Sequence, residues 1–199
     1  MRRITMFNSV SADGYFELPG GDLSWVTQEP GVHASSASRM PAVDTMLFGR
    51  KTYEMFERAW RPAESGAPKP VDPHSPNHPS EAARTFADWI NAHHKVVFST
   101  TLRAPTWKLT RVLPRLDVDT VRALKDEDGR DIIIFGSGSI VSQLSEHGLI
   151  DEYQFVVSPI LLGRGRSLVT GLTRNRALTL LDATPFPSGV VMLRYAPTY

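Results

Sequence analysis

The sequence predicts an α/β protein built on a mostly parallel central sheet with an antiparallel C-terminal edge. Three observations carry that prediction. The first is a strand–turn–helix–strand unit from Asp131 onward. It runs through Ile132-Ile133-Ile134-Phe135, the turn Gly136-Ser137-Gly138-Ser139, helically spaced Ile140, Val141 and Leu144, a stop at Gly148, and Tyr153–Val157. A short, unbroken, β-branched run suits a strand buried on both faces, as strands of parallel sheets are. The second is a repeat of that strand-to-helix step, where Thr45-Met46-Leu47-Phe48 is closed by Gly49-Arg50-Lys51-Thr52. The third is the better alternation of Ala177–Ala183 and Val190–Tyr195, which reads as an antiparallel pair at one edge.

The remaining elements follow in order. Ile4 to Val10 reads as a first strand, stopped by the turn sequence Ser11-Ala12-Asp13-Gly14. Tyr15 and Phe16 form an aromatic pair before Pro19-Gly20-Gly21 breaks the chain. A short helix, rich in Ser and Ala, is expected between Glu29 and Met40. After the second strand, a helix runs from Thr52 toward Trp60 with Tyr53 and Phe56 on one side. Arg61 to Ser80 is the chain's most proline-dense stretch, with six of the 15 prolines, and reads as a long surface loop. His74 and His78 within it have the spacing of a helical metal pair, but the prolines forbid that helix, so no metal site is expected. Glu81–His93 is an amphipathic helix with Ala83, Phe86, Ala87 and Ile90 on one face, and Lys95–Phe98 is a third strand. Trp107–Val112 reads as a short strand and Leu116–Lys125 as a helix. Pro159–Arg166 reads as a mobile loop. No internal repeat appears, and one domain over residues 1–199 is expected.

Composition excludes several functions. Basic residues number 22 and acidic ones 21, so charge gives no reason to expect nucleic acid or an anionic membrane as partner. The absence of cysteine removes disulfides, thiolate metal sites and thiol nucleophiles together. No apolar run reaches the length of a membrane span, and Met1-Arg2-Arg3 leads into a strand rather than a signal-type apolar segment. A cytoplasmic protein is the expectation.

Three strands end in turns suited to phosphate: Gly49–Thr52, Ser99-Thr100-Thr101 and Gly136–Ser139. Glycines let backbone approach a ligand, and a following helix aims free N–H groups and its positive dipole end at the turn. Arg50 and Lys51 beside a helix N-terminus oppose that dipole and call for a counter-charge such as a phosphate. Each turn alone has an ordinary alternative, in tight packing for the glycines, a solvated pair for the cations and strand termination for the hydroxyls. Ligands of open α/β sheets sit at the carboxyl ends of the strands. One ligand with a diphosphate and an extra phosphate would use all three turns, and NADP is such a ligand. The G-x-G-x-x-G fingerprint is not met, since Val141 stands at its third glycine, so a standard Rossmann domain is disfavoured.

With these motifs in order, the chain resembles the dihydrofolate reductase superfamily, in the branch of the reductase domain of the riboflavin-pathway deaminase-reductase. The resemblance rests on Val10–Gly14, Met46–Glu54, Val96–Leu102, Ile132–Gly148 with Ile150-Asp151-Glu152, and Pro159–Gly163. It implies a three-layer α/β/α fold, NADPH as cofactor and a homodimer. By resemblance, Phe135, Gly136, Ser137, Gly138, Ser139 and Ile140 hold the diphosphate. Gly49, Arg50, Lys51 and Thr52 face the phosphates, with Arg50 at the ribose 2′-phosphate. Ser99 and Thr100 share that phosphate, with Thr101 and Leu102 near the adenosine. The backbone of Val10 meets the nicotinamide carboxamide. Trp25 aligns with a cofactor-contacting tryptophan, and a core role fits it equally well.

The substrate side departs from that branch. Ile134 stands for a substrate-binding glutamate, Met40 (beside Arg39) for a substrate-binding arginine, and Phe56 for an acidic cofactor residue. The pocket instead reads as aromatic, from Phe16, Tyr53 and Phe56 with Tyr15 and Trp60, which suits a flat heterocycle. Glu29, on the segment where dihydrofolate reductases carry their proton-handling carboxylate, and Asp13 are the candidate acids; Asp13 equally serves as a cap for its own turn. The expected activity is NADPH-dependent reduction of a small heterocycle. Dihydrofolate reduction and NADP(H) binding without turnover are the rivals.

Overall fold

The computed structural model describes residues 1–61 and 81–198. The Pro-rich loop and its two histidines therefore lie outside the described residues. The sheet has eight strands in the order β5-β4-β3-β6-β1-β7-β10-β9. The strands are β1 (Ile4–Ser11), β3 (Val43–Gly49), β4 (His94–Phe98), β5 (Thr110–Leu113), β6 (Asp131–Phe135), β7 (Glu152–Ser158), β9 (Leu178–Pro185) and β10 (Val191–Pro197). Pairings from β5 to β7 are parallel, and β10 pairs antiparallel with both β7 and β9. The predicted parallel sheet with an antiparallel edge is the one observed.

Side-chain alternation along β1 and β6 sorts the molecule into layers. Ile4 and Met6 pair with Ile132 and Ile134 and are fully buried with them. They pack under α4 (Val118–Asp126) and α5 (Gly138–Glu146), through Val121, Leu124, Ile140, Val141 and Leu144. The intervening residues face the other way. There Met46, Phe48 and Val97 meet α2 (Arg50–Trp60) and α3 (Glu81–Ala92), through Tyr53, Phe56, Trp60, Ala83 and Ile90. Val156 and Met192 meet α1 (Pro30–Arg39) through Val32. Helices on both faces of one sheet give the three layers the resemblance implied.

Local chemistry sets the boundaries. Asp117 accepts from Thr120 N at 2.8 Å and starts α4, two residues later than the pattern suggested. Glu29 caps α1 by accepting from Gly31 N at 2.9 Å, ahead of a proline at the first helical position. Trp107 is core rather than strand, donating its indole N–H to Asn91 at 2.6 Å. The fully buried Lys95 aims its ammonium at the carbonyls of His93 (2.8 Å) and Lys108 (3.1 Å), over the Trp107 ring.

The loop after β7 is tied by hydrogen bonds to the turn after β1. Asp13 pins it by accepting from Gly163 N (2.7 Å), Leu162 N (3.1 Å) and the Ser11 hydroxyl (2.6 Å). It then forms a two-residue strand, β8 (Arg166–Ser167), antiparallel to β2 (Tyr15–Glu17). Two elements this short carry no periodicity, so the sequence did not reveal this ribbon.

Candidate functional site

The three turns converge. Gly49–Thr52, Ser99–Thr101 and Ser137–Ile140 line one open groove of about 430 Å³ at the carboxyl ends of β3, β4 and β6. Gly136 forms the bend beneath, at φ +57°, and Ser137 follows in the left-handed region at φ +59°. That unusual conformation has a use. The Ser137 hydroxyl accepts from Gly49 N and donates to Thr52 Oγ1, both at 2.8 Å, and so locks two turns together. With that hydroxyl engaged, α5 has no side-chain cap, and neither has α2. Two uncapped helix N-termini therefore open on one groove, together with Arg50, Lys51 and Arg166. Phe98, Pro114 and Leu116 add an apolar wall.

Arg50 rests against Glu54 at 2.9 Å, in an exposed pair across one helical turn. Such pairs are weakly held and exchange readily for a better anion. Ser99 accepts from Leu102 N and Thr101 N, so its hydroxyl shapes the β4 turn and sets Leu102, which packs inward against the aromatic layer. Val10 is buried at the end of β1 and Trp25 is buried outside both cavities, its indole N–H without a partner.

A second cavity, of about 340 Å³, lies on the sheet face between α1 and the α2–α3 pair. Its floor is Thr5, Phe7 and Ser9 of β1 with Ile133 and Phe135 of β6, and Phe56, Trp60, Phe86 and Trp89 stand at one side. Phe135 is the centre of this aromatic wall, 5.6 Å from Phe56, 5.7 Å from Phe86 and 6.1 Å from Phe7 between ring centroids. The cleft and the groove share none of their described lining residues; Phe135, the last residue of β6, lines the cleft, and Ser137, two positions on, lines the groove. At the far end Glu152 accepts from Arg194 Nε and Gln154 Nε2, both at 2.8 Å. Burial works against its charge, but those bonds outweigh it and hold the carboxyl below its usual value.

Several expectations need correction. Tyr53 is fully buried between Phe48 and Trp107 and lines neither cavity, because the inner face of α2 presses it onto the sheet, away from the cleft. Phe16 lines the groove rather than the aromatic cleft, and Phe135 the cleft rather than the groove. Ile134 points into the opposite layer under α5, so the cleft-facing residue just ahead of the turn is Phe135. Glu29 does border the cleft, but its carboxyl is held low, chiefly by the Ser188 hydroxyl and then by Gly31 N–H. Asp13 is lowered to about 2 by the Ser11 hydroxyl and then by Gly163 N–H. Neither carboxylate keeps a proton near neutral pH. Among the polar groove residues, the sequence reading missed Glu17, Gln143 and the cation Arg166, which the β2–β8 ribbon brings there.

Comparison with known proteins now decides the family. The sequence profile of the RibD C-terminal domain matches residues 2–192. The chain belongs to the RibD C-terminal domain family. Bacillus subtilis (strain 168) YyaP, an uncharacterized protein, is 25% identical over 194 residues, covering 98% of this chain and 94% of YyaP. A putative riboflavin biosynthesis protein from Shewanella sp. PV-4 superposes with a TM-score of 0.72 at 20% identity, over 100% of both chains. A Thermotoga maritima diaminohydroxyphosphoribosylaminopyrimidine deaminase/5-amino-6-(5-phosphoribosylamino)uracil reductase gives 0.66 at 15% identity, over 99% of this chain and 57% of that one. At such identities the superpositions speak for the RibD-type fold and not for a substrate. Among the described residues no helix is long and apolar enough to cross a membrane, and no cluster of His, Asp or Glu has metal-site geometry.

Proposed function

We propose that this RibD-family chain is an NADPH-dependent reductase of a small heterocyclic substrate, of the kind used in the riboflavin pathway. The observation that carries the proposal is the convergence of three phosphate-suited turns on one groove, with an aromatic cleft lined by Phe135 two positions before the groove's Ser137. The groove fits the cofactor in its donor set: two uncapped helix N-termini for a diphosphate, Arg50 and the Ser99–Thr101 hydroxyls for a 2′-phosphate, and an apolar wall for adenine. Bound there, NADPH would supply a hydride.

The chain's own residues hold, exclude and orient. The N-terminal turns of α2 and α5 anchor the anionic end. Phe7, Phe56 and Phe135 receive a flat ring and keep bulk water from it. With Glu29 held ionised, the proton comes from water, which Glu29 orients. Because neither Glu29 nor Asp13 keeps a proton, a second reading, NADP(H) binding without turnover, is also favoured. A homodimer would cover Leu180 and Leu181, 53% and 48% exposed on the edge strand β9.

Titration calorimetry with NADPH and NADH tests the cofactor. NADPH is expected to bind more tightly, and Arg50→Ala to remove that preference, worth about 1.5–3 kcal/mol for a charge-assisted contact. Equal affinity of the native protein for both would overturn the role of Arg50. Tight NADPH binding with no oxidation across a panel of aminouracils and dihydropterins would favour the binding-only reading.

A further inference from the structure

We propose that Arg166 is a cofactor-binding residue, holding the diphosphate of the dinucleotide together with the helix N-termini. This rests on the dinucleotide reading of the groove and adds a cation that the three turns do not contain. The β2–β8 ribbon is seated tightly on the first turn of α5. A side chain on Gly138 would lie 3.0 Å from the Phe16 ring and 3.2 Å from the Leu168 carbonyl oxygen. A side chain on Gly165 would lie 2.3 Å from the Glu17 carbonyl oxygen, and its φ is +137°. Glycine is thus required immediately before Arg166, and the close approach fixes where Arg166 leaves the backbone. Beyond the ribbon, Ser142 of α5 accepts from Thr170 N at 3.0 Å and fastens the following segment as well.

The side chain is also directed. Its guanidinium lies over the Phe16 ring, 5.2 Å from the centroid, and its Nη1 donates to Glu17 Oε1 at 2.7 Å. Phe16 and Glu17 both line the groove, and so does Arg166. A guanidinium carries five N–H donors in a planar fork. Glu17 takes one, and the ring takes none. The remaining donors belong to a cation lining the groove on which two helix N-termini also open. A phosphate in that groove would be held jointly by backbone N–H groups and by the guanidinium fork. Glu17 acts as the positioning residue, keeping the guanidinium from swinging into solvent.

A diphosphate is common to NADPH and NADH, whereas a 2′-phosphate is not, and this separates Arg166 from Arg50. Dissociation constants of Arg166→Ala for NADPH and NADH are expected to rise by the same factor, about tenfold or more. Arg166→Lys keeps the charge without the fork and is expected to fall between the native protein and the alanine variant. Circular dichroism melting checks that both variants remain folded; the half-exposed Arg166 side chain contributes little to the core. Unchanged binding of both nucleotides, or a loss confined to NADPH, would overturn the assignment. Failure of the native protein to bind either nucleotide would instead remove the dinucleotide reading itself.

Discussion

The groove and the cleft are built by different means. The groove is made of turns: backbone N–H groups, small hydroxyls and glycines at the ends of adjacent parallel strands. The cleft is made of side chains sent from α1, α2, α3, β1 and β6 to one place. A turn-built site depends on backbone geometry and tolerates change around it. A side-chain-built site depends on packing, so its shape and its stability are one property. The expectation is that damage to the cleft costs stability first, and damage to the groove costs binding first.

The largest effect should follow from Phe135→Ala. This ring touches Phe7, Phe48, Phe56, Phe86 and Trp89. Removing it should destabilise the fold by about 3 kcal/mol, the low end for a phenylalanine because the ring is half-buried. Urea denaturation measures this, and NADPH affinity of the folded fraction should stay near native. A large loss of NADPH affinity with little loss of stability would break the contrast.

Ser137→Ala comes next, from the groove side. It deletes the bonds to Gly49 N and Thr52 Oγ1, for about 1–2 kcal/mol of stability. NADPH binding should weaken as well, because the two turns are no longer tied. Ser137→Gly relieves the positive φ and should recover only part of the stability and none of the tie.

A subtler test addresses the aromatic layer where it ends at Trp107. Burial lowers the Lys95 pKa from 10.5 to about 8. Between those values the unfolded chain holds a proton that the folded chain has released, so stability should rise with pH across that window. Lys95→Met should flatten the rise, and an unaltered pH profile in that variant would show that Lys95 is not its source. The smallest effect is expected from Asp13→Asn. Amide hydrogen exchange at Leu162 and Gly163 should quicken, with global stability hardly changed. In the native protein Asp13 titrates at about 2 rather than 3.8, so its contribution is full above the ordinary value. It should be lost only as pH falls through about 2.

The same contrast explains what could be read from the sequence. Strand order and layers follow from short apolar runs and from i, i+3, i+7 spacing such as Tyr53, Phe56 and Trp60. The turn residues were legible because Gly49-Arg50-Lys51-Thr52 and Gly136–Ser139 are contiguous, and parallel topology obliges such turns to share one edge. The cleft was legible only as a tendency toward aromatic residues. Phe56 and Trp60 reach it, yet Tyr53 does not, and Phe86, Trp89 and Phe7 come from elements whose relative placement no local pattern records. Arg166 stayed hidden because β2 and β8 are 3 and 2 residues long. Glu29 lines the cleft, but its lowered pKa depends chiefly on Ser188, 159 positions away, which no local pattern records.

That distant contact has a consequence for how wide the cleft can be. Glu29 is clasped by the bend between β9 and β10, and the Phe186 ring lies so close to Gly31 that a Cβ there would sit 2.5 Å from it. One jaw of the cleft is therefore hinged to the final hairpin of the protein. Ser188→Ala, which removes the hydroxyl that clasps Glu29, should let α1 drift outward and slacken the grip on any ring lying beneath it, while the anionic end of the groove keeps its hold.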